Sequence, residues 1–265
     1  MKKPKASFSL FLGLCYAFLY LPLFFIILFS FNGSGSLSVW SHFSFVWYKQ
    51  ALSNADLWLA LLNSLKTAMT TATLSVFIGL LCAFFSVRIR RSLFLDTFSV
   101  MPLVVPEVVI GLAFLTFFVT TEYAVGWPHG RGLGTIIVAH TTLSLAYVTM
   151  MLRSRLLELD VHLEEAALDL GARPGKVFLL IILPSLSPTL LAAWVLSFTL
   201  SLDDLVIASF TSGLSSTTLP VLIFSHLKTG LTPQVNALCS LIVLSVLIFT
   251  PLAGRWVYKA FRKET

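Results

Sequence analysis

EEAALDLGARPGKVFLLIILP, residues 164–184, is a charged, turn-containing segment held between two long apolar runs. Glu164 and Glu165 are expected to begin a helix, where carboxylates complement the positive end of its dipole. Leu163, Ala167 and Leu170 then fall on one face at helical spacing. Gly171 supplies the left-handed stop that a helix C-terminus favours. Pro174 is placed to open a second helix, because its missing N–H costs nothing in a first turn. Val177, Phe178 and Ile181 continue an apolar face. The segment reads as a helix-turn-helix with Ala166 and Ala167 where another protein's surface can approach closely. An ordinary membrane-surface hairpin is the alternative.

The runs on either side decide the class. In a chain of 265 residues, 57% hydrophobic and 11% charged with a mean hydropathy of +0.91, there is too little charge to cover a soluble surface. An all-α integral membrane protein follows, since a span needs about 20 apolar residues to cross roughly 30 Å of hydrocarbon. Six spans are expected, near Phe8–Phe31, Ser64–Val87, Asp96–Thr121, Leu133–Arg153, Ser185–Phe210 and Val235–Val257. The basic start of the first run is like that of a secretory signal, but the run is too long and lacks a cleavage site before Asn32, so it is expected to be retained.

Cations set the expected orientation. Counted on these spans, Lys2, Lys3, Lys5, Arg88, Arg90, Arg91, Arg153, Arg155, Arg173, Lys176, Arg255, Lys259, Arg262 and Lys263 share one side, against Lys49, Lys66, Arg131 and Lys228 on the other. By the positive-inside rule both termini and the 153–184 loop face the cytoplasm. The basic balance therefore reports topology, and nucleic-acid binding is a poor explanation of it.

Chemistry of its own is hard to find in the chain. The nearest approach to a nucleotide-binding loop is Gly175-Lys176, but Val177 follows where Ser or Thr is required and Leu170 occupies the first-glycine position. There is no GxSxG elbow and no HExxH pair. Cys15, Cys82 and Cys239 lie within expected spans and offer neither a disulfide framework nor metal-ligand spacing. Between the first two spans, Trp40, Phe43, Phe45, Trp47, Tyr48 and Trp58 suit short interfacial helices, as an aromatic belt or, less simply, as ligand contacts. Gly126–Gly134, with Pro128 inside it, reads as an outer turn.

The 164–184 segment resembles the EAA loop of ABC importer permeases, with Glu164, Ala166, Ala167, Gly171, Ile182, Leu183 and Pro184 at that family's spacing. The resemblance extends over nearly the whole chain. WVLSFTLSLDDLVIASF at 194–210, TTLPVLIFS at 217–225 and GLTPQVNAL at 230–238 are similar to the spermidine/putrescine, or polyamine, branch. RLLELDVHLEEAALDLGARPGKVF at 155–178 and GWPHGRG at 126–132 look most like its putrescine permeases. It implies a type I, MetI-like fold, with residues 1–265 as one permease domain carrying a coupling loop at 153–184. It implies a half-pore in a bacterial inner membrane, paired with a homologous permease subunit. A cytoplasmic ABC ATPase dimer would grip Glu164, Glu165, Ala166, Ala167, Asp169, Gly171 and Pro174, and a periplasmic polyamine-binding protein would deliver the substrate. Such a subunit is not an enzyme and needs no cofactor.

Charge at membrane depth gives a substrate expectation. An acidic residue there costs roughly 2.5–3.5 kcal/mol on insertion scales and faces a pore or a partner. Glu107 sits near the middle of the third expected span, and Asp203 and Asp204 lie deep in the fifth. A linear diamine has an ammonium at each end for such carboxylates. Trp194, Ser197, Ser201, Asp204, Ala208 and Thr211 form a small, polar stripe at helical spacing beside an apolar flank of Leu196, Leu200, Ile207 and Phe210. Asp204 is therefore expected to line the path more directly than Asp203. Pro102 and Pro106 are expected to break the third span beside Glu107. Trp194 and Tyr147 are candidate cation-π partners, with packing as the ordinary alternative. The carboxylates, too, have an alternative as structural groups bonded to helix ends or to basic residues of a partner. His140 reads as a helix–helix hydrogen-bond former rather than a proton carrier. Two other readings stay open: a secondary transporter of a cationic solute, and an ABC permease for another solute.

Overall fold

Long runs without charge fold as helices because in lipid every backbone N–H and C=O must be satisfied within its own segment. The computed structural model describes residues 6–35, 39–89, 101–229, 233–245 and 247. Among them, five helical stretches are long and apolar enough to cross a membrane: Leu10–Ser30, Ala55–Arg88, Glu107–Val125, Leu133–Glu158 and Pro174–Asp203. The elements are α1 (Ala6–Ser30), α2 (Val46–Ser53), α3 (Ala55–Phe84), α4 (Glu107–Val125), α5 (Leu133–Glu158), α6 (Val161–Asp169), α7 (Pro174–Val177), α8 (Leu183–Asp203), α9 (Val206–Thr211), α10 (Leu219–Thr229) and α11 (Pro233–Ser245). The expected spans match this order. The sixth opens with α11, and its remainder, like Asp96–Val100 of the third, lies outside the described residues, as do Lys2, Lys3, Lys5, Arg90, Arg91, Arg255, Lys259, Arg262, Lys263 and Gly230–Thr232.

Two spans differ from the expectation in ways that matter. The third is broken at Val105–Pro106, where Pro106 has ψ 136° and caps α4, but Pro102 lies inside a helical turn at 101–104. Glu107 is thus the first residue of α4 rather than a mid-helix residue. The fifth is not one helix from Ser185 to Phe210: it ends at Asp203, passes through Asp204 at ψ 123° and resumes as α9.

The chain divides into two compact units. One comprises residues 1–58 and 223–265. Here Asn32 is fully buried and organises the loop after α1: its amide donates to Val39 O at 2.8 Å and its side-chain oxygen accepts from Ser41 N at 3.0 Å. Trp47 Nε1 donates to Asn32 O at 2.7 Å, and Phe31, Phe43, Phe45 and Tyr48 pack ring against ring at 5.0–6.0 Å. Of the aromatics assigned to interfacial helices, only Trp47 and Tyr48 sit on α2, while Trp58 is on α3 and Trp40, Phe43 and Phe45 lie in the irregular segment.

The other unit spans residues 59–222. Its core is Ala83, Val148, Leu152, Leu156, Ile182, Leu186 and Ala193, where α3, α5 and α8 meet. Small residues allow the close approach, as in many membrane bundles. Ser64, Thr67, Thr71 and Ser75 form a buried stripe on α3, and a Cβ on Gly79 would lie 2.7 Å from Val148 Cγ1. Before α8 the backbone widens into a π-helical turn, Phe178–Ile182, in which Leu183 N donates five residues back to Phe178 O. Pro184 follows without an N–H, so the ordinary ladder is interrupted there.

Candidate functional site

The 161–184 hairpin is built from local signals. Asp160 caps α6, its Oδ1 accepting from His162 N at 3.0 Å, so the helix starts three residues before Glu164 rather than at it. It ends as the glycine dictates: Gly171 has φ +83°, its N–H donates to Leu168 O at 2.9 Å, and Ala172 N donates to Ala167 O at 3.0 Å. That pair of bonds is the Schellman arrangement, and only glycine takes this φ without strain. Pro174 opens α7 after Arg173.

One side of the hairpin is anchored and the other is bare. Val177 and Ile182 are buried, and the Phe84 and Phe178 rings meet edge to face at 5.2 Å. Arg88, at the end of the second span, forms an ion pair with Glu164 and reaches Leu156 O at 3.5 Å. In the sequence Arg88 reads only as a topological cation; its pairing depends on the π-helical turn Phe85–Ile89 that follows α3 meeting α6. Glu165 pairs with His162 at 3.2 Å on the exposed surface. Ala166, Asp169 and Pro174 are exposed and Ala167 half-buried. No α6 residue is fully buried, and Leu163 and Leu170 are 59% and 89% exposed.

The acidic residues divide differently. Glu107 and Asp203 are exposed. Asp204 is nearly buried, its side chain 8% exposed, and it is engaged within the chain. Its Oδ2 accepts from Ala208 N at 2.8 Å, its Oδ1 lies 3.4 Å from Ile207 N, and Nε2 of buried His140 stands 3.0 Å from Oδ2. Nδ1 of His140 is 2.8 Å from Ser201 Oγ. Asp204 was expected to line the path more directly than Asp203; of the two, Asp203 is the more exposed. The stripe of Ser197, Ser201, Ala208 and Thr211 is buried against the bundle. Trp194 stacks on Phe198 at 5.3 Å and donates to Thr73 Oγ1 at 3.2 Å, while Tyr147 is half-buried on α5. Among the described residues, no hydrogen bond or ion pair joins Glu107 to either aspartate.

The break in the fifth span is also held from its far end. Arg131 Nη1 donates to Phe210 O at 3.2 Å and Thr135 Oγ1 to Thr211 O at 2.7 Å. A Cβ on Gly111 would lie 2.5 Å from the Phe210 ring, and one on Gly213 only 1.9 Å from Arg131 O. An apolar cleft of about 390 Å³ lies beside Met101, Val109, Phe114, Phe117 and Leu143, with no carboxylate among its described lining residues.

A bundle of apolar helices with an unfinished helical hairpin defines a multi-pass membrane protein of the ABC importer permease fold. The chain belongs to the family of binding-protein-dependent transport system inner membrane components, whose profile matches residues 75–263. It is 45% identical over 234 residues to the putrescine transport system permease protein PotI of Escherichia coli strain K12, covering 87% of this chain and 83% of that one. It is 35% identical to the spermidine/putrescine transport system permease protein PotC of Haemophilus influenzae, over 92% of this chain and 93% of its relative. Among solved structures, a bacterial ABC transporter importing the acidic polysaccharide alginate superposes with a TM-score of 0.70 at 12% identity over 95% of each chain. The MetNI methionine ABC transporter superposes with a TM-score of 0.61 at 18% identity, over 78% of this chain and 98% of that one. These structural likenesses speak for the fold. Membership in a family of transport-system components sets aside the stand-alone secondary carrier.

Proposed function

We propose that this chain is the permease subunit of an ATP-driven polyamine importer, with putrescine the first substrate to test. The observation that carries the reading is the 45% identity to a putrescine permease over most of both chains. In this reading residues 1–265 form a single permease domain in a bacterial inner membrane, with both termini and the 153–184 loop in the cytoplasm. The cation bias supports that orientation. The chain provides half of the pore and a second, homologous permease the other half. A cytoplasmic ATPase dimer grips the hairpin through Glu165, Ala166, Ala167, Asp169 and Pro174, with Gly171 setting the turn and Glu164 tying it to Arg88. A periplasmic polyamine-binding protein supplies substrate from outside. ATP-driven closure of the ATPase moves the paired loops and opens the pore alternately to each side.

The carboxylates make the path attractive to a diammonium. Exposed Glu107 and Asp203 are available to a passing cation, and Asp203 closes α8, where unpaired carbonyls carry the negative end of the helix dipole. Asp204 acts beside them through the backbone it caps. Trp194 and Tyr147 frame the path as aromatic walls.

Uptake by vesicles containing this chain, its partner permease, the ATPase and the binding protein tests the reading. Putrescine should accumulate with ATP inside and binding protein outside. Import of sulfate or an amino acid in its place, or polyamine uptake independent of ATP, overturns it.

A further inference from the structure

SLDDLVIA, residues 201–208, contains neither glycine nor proline, yet the fifth span leaves the helix there. Sharp breaks without Pro or Gly require something inserted into the backbone ladder or bonded to it. His140 on α5 reaches both sides of this break. Its Nδ1 meets Ser201 in the last turn of α8, and its Nε2 meets the Asp204 carboxylate that caps α9. Nδ1 is hydrogen-bonded with the Ser201 hydroxyl, while Nε2 stands against the carboxylate as a close polar contact without the alignment of a hydrogen bond. With Nδ1 bonded to Ser201, Nε2 held 3.0 Å from the carboxylate and the residue buried, the ring is confined between the two ends of the break. At six residues, α9 is too short to persist unaided and depends on such contacts.

We infer that His140 is a positioning residue for the cation path: its ring brackets the break, holding Asp204 as the cap of α9 so that Asp203 and the last carbonyls of α8 stay free for an ammonium group. Discontinuous helices whose C-terminal ends face cations are a general solution in transporters. Without the bracket, Asp204 loses a partner in a buried setting, and α8 can wind onward through residues 204–205. That winding would consume the carbonyls and swing Asp203 away. The inference rests on the polyamine reading, and its experiment separates the two.

The assembled transporter in proteoliposomes gives putrescine uptake and binding-protein-stimulated ATP hydrolysis from one sample. His140→Ala should lower uptake about 10- to 100-fold, the range for losing a polar contact to a buried carboxylate, while stimulated hydrolysis is retained. His140→Gln, which keeps a polar group between Ser201 and Asp204, should recover part of the rate. Asp203→Asn should also lower uptake, and the Asp203→Asn, His140→Ala pair should fall no further than the worse single variant, because both act on one site. Losses that multiply, or uptake and hydrolysis falling together in His140→Ala and His140→Gln alike, would make His140 a packing residue and overturn the bracket. If His140→Ala does not accumulate, Ser201→Ala, which frees Nδ1 alone, takes its place in the same cycle. Wild-type vesicles that import no polyamine defeat the substrate reading instead. Hydrogen exchange then still decides the bracket: amides Ile207 and Ala208 should exchange faster in His140→Ala, and equal protection overturns it.

Discussion

The hairpin at 161–184 and the break at 203–206 are both departures from a plain membrane helix, and they are finished in opposite ways. The hairpin satisfies its backbone with a cap, a Schellman turn and a proline start, and leaves Leu163 and Leu170 uncovered. At the break, polar side chains do the holding: Asp204, His140 and Ser201 are bonded to one another or to the backbone. In the proposed assembly those leucines are where the ATPase would dock. An element whose buried carboxylate is bonded to its own backbone has a shape the chain itself decides, because an unpaired charge in a dry interior is costly.

The largest expected effect is at the hairpin. Gly171→Val forces a β-branched residue to φ +83°, at a cost of about 1–3 kcal/mol. Uptake should fall to background while the protein still reaches the membrane; normal uptake would remove the turn from the mechanism. Next is Arg88→Ala, which strands Glu164 in a setting where both side chains are less than one-fifth exposed. The loss should be about 1–3 kcal/mol in the thermal stability of the purified complex. Exchanging the two charges as Arg88→Glu with Glu164→Arg should recover part of it, and no recovery would mean that packing, not charge, joins the end of the second span to α6.

At the break, Gly213→Ala drives a methyl group against Arg131 O, and either the 211–219 loop or the 126–132 turn must shift. Fewer transporters should assemble, read as the amount of complex copurifying with the ATPase. Glu107→Gln together with Asp204→Asn preserves volume and should depress polyamine uptake without loss of assembly. Uptake at the wild-type rate would assign both carboxylates to structure. The smallest effect is a labelling difference without functional loss: a cysteine at Gly130 should react with an impermeant thiol reagent from outside, and one at Gly175 should not. The reverse pattern would overturn the orientation and with it the docking role of the hairpin.

The hairpin was legible because its signals are local. Gly171 and Pro174 act within a turn of themselves, and only the start of α6 was misplaced, since Asp160, four residues before Glu164, is a better cap than the glutamates. The break was invisible for the opposite reason. Period-3.6 patterning across 194–211 describes an unbroken helix equally well, and the residues that interrupt it include one on α5, distant in sequence. His140 was recognised as a bond former, but no spacing rule tells which carboxylate it meets.

Sequence by itself determined the membrane class, the order of spans, the turn in the hairpin and the absence of a nucleotide-binding loop, because length, hydropathy and backbone chemistry act over a few residues at a time. Tertiary structure decided that Glu164 is tied to Arg88, that Asp204 is enclosed and Asp203 open, and that the fifth span is two helices. Those outcomes depend on which side chains from separate helices meet in a medium that leaves no buried polar group to water, and that is settled only when the helices pack.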